Sequence, residues 1–399
     1  MLPNVDGVTR AVYPVFMRTD DNSFTVGIEE EYLLVDPETR QLATDGEVSQ
    51  GVIDAVIAAV GDDVGFATPE FLKAQVEVGT DVAGSIKDVR KKLAALRRAV
   101  STAANEKGFA MIAASTHPMA NWRDAHHTDK ERYNVLANDL QTVAKRMVIC
   151  GMHVHVGIDD DDLRLDLLGQ ISYFLPHLLA LTTSSPFWAG QDSGLQCYRL
   201  SIFDELPRTG LPEHFDSWSD YTRHVETMVN IGLLEDASKI WWDIRPHWRF
   251  PTLEMRVADV CTYMDDGIAV AALYASLLSM LLRLRRTNQK WRTYSNMLIN
   301  ENRWRAQRHG FEKGLVDFGA GKVVDYESLL EEILELTKED QQRLDCVEEA
   351  SHARTILSRG TSSHNQRRIY TDAKAEGASN QEALEKVVDW LIEETVRDI

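Results

Sequence analysis

Five segments of this chain alternate between apolar and polar side chains with a period of two. The segments are Phe24–Asp36, Gln75–Thr80, Cys150–Ile158, Ser238–Pro246 and Thr252–Ala258. Successive side chains of a β-strand point to opposite faces, so this alternation predicts strands that bury one face and leave the other polar. A sheet that helices cover on one face only is normally antiparallel or mixed. The chain is therefore predicted to have an α+β fold with a mainly antiparallel sheet.

The first segment carries three consecutive glutamates, which the alternation divides between the two faces. Glu29 and Glu31 share the polar face, whereas Glu30 lies on the apolar face and is given no catalytic role. Neighbouring carboxylates on one face of a sheet repel each other, and a cation bound between them removes that cost. The simpler interpretation is an exposed face that happens to be acidic. The remaining four segments help to decide between the two.

The polar faces of those segments carry residues typical of a metal and phosphate site. These residues are Glu77, His153, His155, Asp243, Arg245, Glu254 and Arg256. Oxygen-rich ligand sets suit Mg²⁺ or Mn²⁺, and arginines beside them suit a phosphate. The sequence has neither a G-x-x-x-x-G-K-[ST] motif nor a clear G-x-G-x-x-G motif. The pattern therefore indicates phosphoryl transfer in which metals and arginines hold the nucleotide.

A purely structural interpretation exists for each of these residues. A single histidine is more often structural than functional, but His153 and His155 on one strand face favour a site. Glu254 and Arg256 could instead form an ion pair, which is worth little at a surface. A functional role for the whole set is favoured over a structural one, because all five predicted strands carry matching polar faces.

Charge, cysteine content and length limit the class of protein. The formal net charge of −19 argues against nucleic acid or an anionic membrane as a partner. Four widely spaced cysteines, with no C-x-x-C motif, indicate reduced thiols in a cytoplasmic protein. Residues 1–23 are expected to be irregular and lack the basic and apolar blocks of a signal peptide. No linker is evident, so residues 1–399 are predicted to form a single domain.

Helical patterns separate the predicted strands. Helices are predicted over residues 47–60, 83–107, 129–148, 161–183, 220–236, 265–286, 288–310, 326–337, 340–358 and 380–397, with a short strand at 111–115. The apolar run Ile268–Leu284 is slightly shorter than the roughly 20 residues of a membrane span, so a buried core helix is predicted there. Loops are expected at 359–367 and at 186–220, and the second is long enough for a lid or binding loop.

Five motifs occur along the chain in a fixed order. Together they are a more specific signal of protein family than any one of them alone. They are Gly27-Ile-Glu-Glu-Glu-Tyr32, Gln75-Val-Glu77, Gly151-Met-His-Val-His-Val-Gly157, Trp242-Asp-Ile-Arg-Pro246 and Leu253-Glu-Met-Arg-Val257. This set resembles the type 2 glutamate–cysteine ligase family, in the branch of carboxylate–amine ligases. The similarity includes Glu301–Arg305 and Arg359–Arg367, and the Gly-Met-His-x-His segment is also similar to glutamine synthetase. The resemblance implies a glutamine-synthetase-like fold, in which a curved, mainly antiparallel sheet forms an active-site funnel backed by helices.

The resemblance also implies a reaction and its partners. The reaction is the ATP-dependent ligation of the γ-carboxylate of L-glutamate to the amine of L-cysteine through a γ-glutamyl phosphate, as in glutathione biosynthesis. The cofactors would be ATP and Mg²⁺ or Mn²⁺, in one catalytic domain over residues 1–399. The partners would be these small molecules, with no nucleic acid and no membrane, and the family suggests a homodimer.

Site residues are carried over from the family by position. One metal would be bound by Glu31 and Glu77, and a second by Glu29, His153 and Glu254. The ATP phosphates would face His155 and Arg256, and Arg245 would hold a phosphate or a substrate carboxylate. Arg199 and Arg303 are candidates for substrate binding. The family often has Gly-Tyr-Arg-Ser where this chain has Gln196-Cys-Tyr-Arg199, so the resemblance leaves the amine acceptor open.

Three alternatives to glutamate–cysteine ligation stay open. The first is a glutamate ligase that uses a different amine. The second is a Zn²⁺-dependent hydrolase in which His153 and His155 bind the metal, although such a site would call for further His or Asp ligands late in the chain. The third is a binding protein that keeps the ligase fold without turnover, against which the complete acidic set argues.

Overall fold

The strands lie mainly in the first two thirds of the chain, and helices end it, in a computed structural model that describes residues 24–397 and 399. The strands are β1 Val26–Val35, β2 Gly65–Pro69, β3 Gln75–Thr80, β4 Ala110–Ile112, β5 Met152–Gly157, β6 Phe187–Trp188, β7 Gln191–Asp192, β8 Thr209–Gly210, β9 Trp241–Trp242, β10 Ile244–Pro246, β11 Thr252–Met255, β12 Leu315–Asp317 and β13 Lys322–Val324. The irregular segment expected over residues 1–23 lies outside the described residues.

The α-helices follow the predicted helical patterns. They are α1 Gly46–Ala59, α2 Ile86–Glu106, α3 Glu131–Leu140, α4 Thr142–Lys145, α5 Asp161–Ile171, α6 Leu175–Thr182, α7 Arg199–Phe203, α8 Trp218–Asn230, α9 Met264–Arg286, α10 Asn296–His309, α11 Tyr326–Leu336, α12 Lys338–Arg343, α13 Val347–Ser351, α14 Ala353–Arg359, α15 Ser362–Ala375 and α16 Asn380–Thr395. The long segment 186–220 contains only short elements, as expected for a loop region.

Each of the five alternating segments contributes a strand to one sheet, although β9 of the fourth segment pairs instead with β8 in a separate two-stranded sheet. The strands of the larger sheet lie in the order β10-β11-β5-β1-β3-β2, and β4 pairs with the end of β1. All pairings in this sheet are antiparallel. This confirms the predicted fold class, an α+β fold with a mainly antiparallel sheet. β1 lies at the centre between β3, which carries Glu77, and β5, which carries His153; Glu254 lies on β11, the strand beyond β5.

Helices α2 and α9 cover the apolar face of the sheet. Ile28, Tyr32 and Leu34 of β1 are almost completely buried against this layer. Helix α9 is long and apolar enough to cross a membrane, but 89% of its most apolar stretch is buried inside the structure. It is therefore the core helix that the sequence predicts. The four cysteines are all buried and form no disulfide.

Two predicted helices are interrupted where the backbone is constrained. The helix expected at 129–148 is divided into α3 and α4 by Gln141, whose φ of 53° is outside the right-handed helical region. The helix expected at 161–183 is divided by a 3₁₀ turn at Ser172–Phe174. Pro176 follows at the start of α6, where a missing backbone N–H costs the helix nothing.

Three predictions for the second half of the chain need larger corrections. The helix expected at 288–310 begins only at Asn296. The helix expected at 340–358 is three short helices, and Asp345, whose φ is 51°, lies at the first of the two breaks. The loop expected at 359–367 is wrong, since α15 begins at Ser362. A capping box between Thr361 and His364 starts that helix, and its polar first turn is buried rather than exposed.

Candidate active site

The polar face of the sheet forms one wall of a cavity of about 360 Å³. Five carboxylates line it: Glu29, Glu31, Glu70, Glu77 and Glu254. Four of them come from β1, β3 and β11, so the period-two alternation places them on one face. Basic side chains line the same cavity, which therefore contains both the acidic and the basic part of the predicted site.

Glu29, His153 and Glu254 come together on three neighbouring strands. Glu29 of β1 lies opposite His153 of β5, and Glu254 of β11 lies opposite His155 of β5. The Nδ1 atom of His153 is 3.1 Å from Oε2 of Glu29 and 3.9 Å from Oε1 of Glu254. One possible ligand atom from each of the three residues lies within 4.8 Å of the other two. The sheet register thus assembles the larger of the two predicted metal sets.

The electrostatics of this cluster favour ligands in their metal-binding forms. Burial acts to raise the pKa of Glu29, but the charge of His155 and the hydrogen bonds of His153 and His155 lower it below its usual range. Burial and the positive charge of Arg256 lower the pKa of His153 to about 4. At neutral pH, Glu29 is therefore ionised and His153 is neutral, which are the forms that bind a cation.

His155 lies beside this cluster rather than on the cavity wall. Its Nε2 atom is 3.4 Å from Oε2 of Glu29, and its Nδ1 atom is 3.1 Å from the hydroxyl of Thr252. Burial acts to lower its pKa, but the Glu29 charge and hydrogen bond raise it overall. Its ring packs edge-on against His247, which does line the cavity. In this arrangement His155 contacts Glu29 directly.

The second predicted pair, Glu31 and Glu77, lies directly opposite on β1 and β3. The backbone N–H of Gly151 donates to Glu31 at 2.8 Å. Burial and the charge of Glu70 raise the pKa of Glu31 to about 8. Burial and the charges of Glu70, Glu29 and Glu31 raise the pKa of Glu77 well above its usual range. Both shifts favour the protonated carboxyls, and a bound divalent cation would favour the ionised forms and displace those protons.

Arg245 and Arg256 both form ion pairs with Glu254. Arg245 donates from Nε and Nη2 to the carboxylate, at 2.7 and 3.3 Å, and from Nη1 to the carbonyl oxygens of Ser238 and Ile240. These contacts use most of its five donors. Arg256 contacts Oε1 of Glu254 through Nη1, and its buried Nε has no hydrogen-bond partner among the described residues. Arg256 therefore keeps more donor capacity for an anion than Arg245.

Arg199 also lines the cavity, at the start of the short helix α7. It is only 2% exposed, and its guanidinium donates to the carbonyl oxygen of Arg256 at 3.2 and 3.3 Å. The backbone of Gly151 lies directly against this guanidinium, so a side chain at that position would collide with it. A buried cation beside the carboxylates suits a substrate carboxylate.

Besides His155, the predicted residues Arg303 and Asp243 do not line the cavity. Arg303 forms bidentate ion pairs with Asp243 and with Asp204, at 2.6–3.0 Å. The backbone N–H groups of Arg256 and Val257 both donate to the carbonyl oxygen of Asp243. This bulge separates β9 from β10, so the predicted strand is not continuous: Trp241 and Arg245 both line the cavity, but Asp243 between them does not.

The residues present fit one or more divalent cations. In the tautomer whose Nδ1–H donates to Glu29, His153 has a lone pair on Nε2. This buried atom has no hydrogen-bond partner in the described part of the chain and lies 4.0 Å from Oε1 of Glu31, between the two predicted metal sets. The donor set is one imidazole among carboxylates, which suits Mg²⁺ or Mn²⁺ better than the soft sets that select Zn²⁺. Mutual repulsion of Glu31, Glu70 and Glu77 gives a further reason for a cation there.

Glu70 is a site residue that the sequence pattern did not reveal. It lines the cavity, is hydrogen bonded to Glu77 and raises the pKa of both Glu31 and Glu77. It lies between β2 and β3 in a stretch without alternation, just after Pro69. The only available signal was an acidic residue seven positions before Glu77. Phe71, Tyr133, Met147, Ile149 and Leu206 add an apolar wall to the same cavity.

Comparison with known proteins places this site in a family. The sequence profile of glutamate-cysteine ligase family 2 matches residues 25–389. A relative from Rhodospirillum rubrum, named "Putative glutamate--cysteine ligase 2", is 60% identical over 375 residues, which are 94% of this chain and 96% of the relative. A relative of the same name from Paracoccus denitrificans is 46% identical over 381 residues, which are 96% and 100% of the two chains.

A solved structure shares the fold. The crystal structure of glutamate–cysteine ligase from Francisella tularensis in complex with AMP has a TM-score of 0.65 and 17% sequence identity to this chain. The match covers 94% of this chain and 89% of that one. The profile match and the close relatives confirm the resemblance drawn from the five motifs, and the chain belongs to glutamate–cysteine ligase family 2.

Proposed function

We propose that this chain catalyses the ATP-dependent ligation of the γ-carboxylate of L-glutamate to the amine of L-cysteine, through a γ-glutamyl phosphate. Membership of the family supports a ligase. The observation that carries the proposal is the cluster of Glu29, His153 and Glu254, whose possible ligand atoms lie within 4.8 Å of one another. An oxygen-rich site of this kind, with arginines next to it, is suited to a metal-bound nucleotide.

The reaction needs activation of a carboxylate, because oxide is a poor leaving group. One carboxylate oxygen of glutamate attacks the γ-phosphorus of ATP, the bond to the β,γ-bridging oxygen breaks, and ADP leaves. The amine nitrogen then attacks the carbonyl carbon of the acyl phosphate, phosphate leaves, and the nitrogen loses a proton. Divalent cations, when bound, would neutralise the two anionic reactants and align them.

Two groups of carboxylates are proposed to hold those cations. Glu29, His153 and Glu254 would form the nucleotide-side site, in accordance with their contacts. Glu31 and Glu77 would form the second site, and Glu70 is added to it because it is hydrogen bonded to Glu77. His155 would orient Glu29 from the side, since its Nε2 lies 3.4 Å from the Glu29 carboxylate.

The arginines are proposed to bind anions. Arg256 would hold a phosphate, since its Nε has no hydrogen-bond partner among the described residues and it already contacts Glu254. Arg199 would bind the carboxylate of an amino-acid substrate. Arg245 keeps its proposed place near a phosphate or carboxylate, but its bonds to Glu254 and to two carbonyl oxygens make orientation of Glu254 its main task. Removing a preorganised group of this type typically costs roughly 3 kcal/mol of transition-state stabilisation.

ADP release tests the proposal. The purified full chain is incubated with ATP, Mg²⁺ and L-glutamate, with and without L-cysteine. We expect ADP formation that depends on both amino acids and that falls about 100-fold or more in Glu29→Gln. Glu348→Gln is the control, because Glu348 is exposed on α13. Hydrolysis of a substrate that needs Zn²⁺ and no ATP, or nucleotide binding without ADP release, would contradict the ligase assignment.

The amine acceptor is tested separately. A panel of amino acids and simple amines replaces L-cysteine in the same assay, and the ratio kcat/KM ranks them. A clear preference for L-cysteine supports γ-glutamylcysteine formation, while a preference for another amine supports the alternative glutamate ligase. The single catalytic domain over residues 1–399, the cytoplasmic location and the homodimer stay predictions.

A further inference from the structure

Glu30 lies between two proposed metal ligands but points away from the cavity. Along β1, Glu29 and Glu31 face the cavity, and Glu30 faces the apolar layer beneath the sheet. It is 0% exposed, and so is its partner Arg97 on helix α2. An ion pair at this depth, directly behind the ligand-bearing strand, has no part in the reaction described above.

The contacts of this pair are complete on both sides. Arg97 donates from Nε and Nη2 to the two oxygens of Glu30, at 2.8 and 2.9 Å. It also donates from Nη1 to the carbonyl oxygen of Thr262 at 3.0 Å and from Nη2 to that of Cys261 at 2.8 Å. The hydroxyl of Tyr32 donates to Glu30 as well. The guanidinium therefore bonds to two different parts of the chain at once.

Those two parts carry the two ends of the proposed nucleotide-side metal site. Glu30 belongs to β1, which supplies Glu29. Cys261 and Thr262 belong to the segment that follows β11, which supplies Glu254, and β5 separates the two strands in the sheet. Arg97 thus joins β1 to the chain beyond β11 from behind, across β5. A shift of one strand relative to the other would change the spacing of Glu29 and Glu254.

The ion pair has a simpler explanation, which is that it stabilises the fold. Buried ion pairs are a weak source of stability, because desolvation offsets the attraction, and apolar replacements are often neutral or better. An apolar pair in this place would pack equally well against the core, but it would not fix the rotation of β1 through a two-pronged hydrogen bond. Mutation of residues that orient metal ligands without binding the metal commonly lowers metal affinity about 10–100-fold.

We infer that the Glu30–Arg97 pair is a positioning device for the metal site, which holds β1 and the segment after β11 at the spacing that Glu29 and Glu254 require. The inference rests on the proposed function only in the assignment of Glu29 and Glu254 as ligands. It predicts that the geometry of the guanidinium matters, and not merely its charge. Its signature is a loss of metal affinity that exceeds what loss of stability alone produces.

Mn²⁺ binding to the full chain, measured by electron paramagnetic resonance without nucleotide, tests the inference. Arg97→Lys keeps the positive charge but loses the planar guanidinium, which bonds both oxygens of Glu30. We expect Mn²⁺ affinity to fall about tenfold in this variant. Tyr32→Phe removes only the hydroxyl bond to Glu30 and is a milder variant that should fold, with a smaller loss in the same direction. Melting temperature is recorded for each variant.

Asp340→Asn is the matched control. Asp340 is likewise buried and accepts a two-pronged ion pair from an arginine, Arg283 at the other end of α9, but it does not line the cavity. Asp340→Asn should lower the melting temperature and leave Mn²⁺ affinity unchanged. Unchanged affinity in both Arg97→Lys and Tyr32→Phe, or an equal loss in Asp340→Asn, would overturn the inference. Glu29→Gln is measured alongside, because wild-type Mn²⁺ affinity in that variant would refute the ligand assignment and the positioning role with it.

Discussion

A Cβ atom at Gly151 would lie 3.0 Å from Cζ of Arg199 and closer still to Nη2. The guanidinium of Arg199 can therefore occupy its place beside the cavity only because residue 151 has no side chain. Gly151→Ala should displace Arg199, since overpacking of this kind costs about 1–3 kcal/mol. If Arg199 binds a substrate carboxylate, we expect the KM for an amino-acid substrate to rise about tenfold, as measured by steady-state ADP release.

Gly84→Ala is the control for this substitution. A Cβ atom at Gly84 would contact nothing within 4 Å. The KM values of the Gly84→Ala variant should therefore equal those of the wild type. Mn²⁺ affinity should change little in Gly151→Ala, because the backbone N–H of Gly151 still donates to Glu31. A tenfold loss of Mn²⁺ affinity together with an unchanged KM would show that Gly151 serves Glu31 and not Arg199.

Glu70 offers a test of the second metal site. Its charge raises the pKa of Glu31 and of Glu77, so two opposite results are possible in Glu70→Gln. If Glu70 is a ligand, its removal should weaken Mn²⁺ binding about tenfold or more. If it is only a neighbouring charge, its removal lowers the pKa of Glu31 and should strengthen binding at neutral pH. The Mn²⁺ affinity of Glu77→Gln, measured in the same way, shows how large a loss the removal of one proposed ligand causes.

Arg303 is expected to be structural. Both prongs of its guanidinium are bound to Asp243 and Asp204, and it does not line the cavity. Arg303→Lys should lower the melting temperature, because lysine cannot pair with both carboxylates, of which Asp243 is buried, in this geometry. The KM for each substrate should stay within about twofold of the wild type.

The control for that variant is Arg305→Lys on the same helix, α10. Among the described residues, Arg305 donates hydrogen bonds only to the carbonyl oxygens of Lys313 and Gly314. We expect a smaller loss of melting temperature than in Arg303→Lys. A rise in KM for glutamate or for the amine in Arg303→Lys, with the melting temperature unchanged, would restore the substrate-binding role that the family resemblance implies.

The strands that carry the site were predictable because their signal is local. Alternation alone assigned Glu29 and Glu31 to one face and Glu30 to the other, and the structure places all three accordingly. The same rule located His153 and Glu254. The register between neighbouring strands could not be read from the sequence of any one strand. However, a shift by one residue would expose the apolar face of a strand, which limits the possible registers.

Other features depend on contacts between distant residues and had no local signal. The bulge at Asp243 depends on two backbone N–H groups that follow β11, so it could not be seen in the sequence of the strand itself. Glu70 lies in a segment without alternation. The first turn of α15 is rich in serine and asparagine, which is typical of a loop. Those side chains are buried instead, where Ser362 is hydrogen bonded to Thr262 and Ser363 to the carbonyl oxygen of Gln196.

Acid sensitivity of the fold should depend on buried histidines outside the cavity. Burial lowers the pKa of His117 and of His177 to about 4. The Nδ1 atom of His117 accepts hydrogen bonds from the N–H groups of Met119 and Ala120, at 3.1 and 2.9 Å, and these bonds require the neutral ring. The unfolded chain has an ordinary histidine pKa near 6.5. Between about pH 4 and 6.5 the unfolded state therefore binds more protons, and stability falls as the pH falls.

His117→Asn tests this dependence. Asparagine can accept the same two backbone bonds through its side-chain oxygen but has no proton to gain. The free energy of unfolding in urea is measured at pH 7.5 and pH 5 for this variant, for the wild type and for the exposed control His214→Asn. Glu31 acts in the opposite direction, because its raised pKa of about 8 favours the folded state as the pH falls, and the comparison between variant and wild type removes its contribution. We expect His117→Asn to lose less stability on acidification than the wild type, by up to about 2 kcal/mol. An equal loss in both proteins would show that His117 does not resist protonation in the folded state.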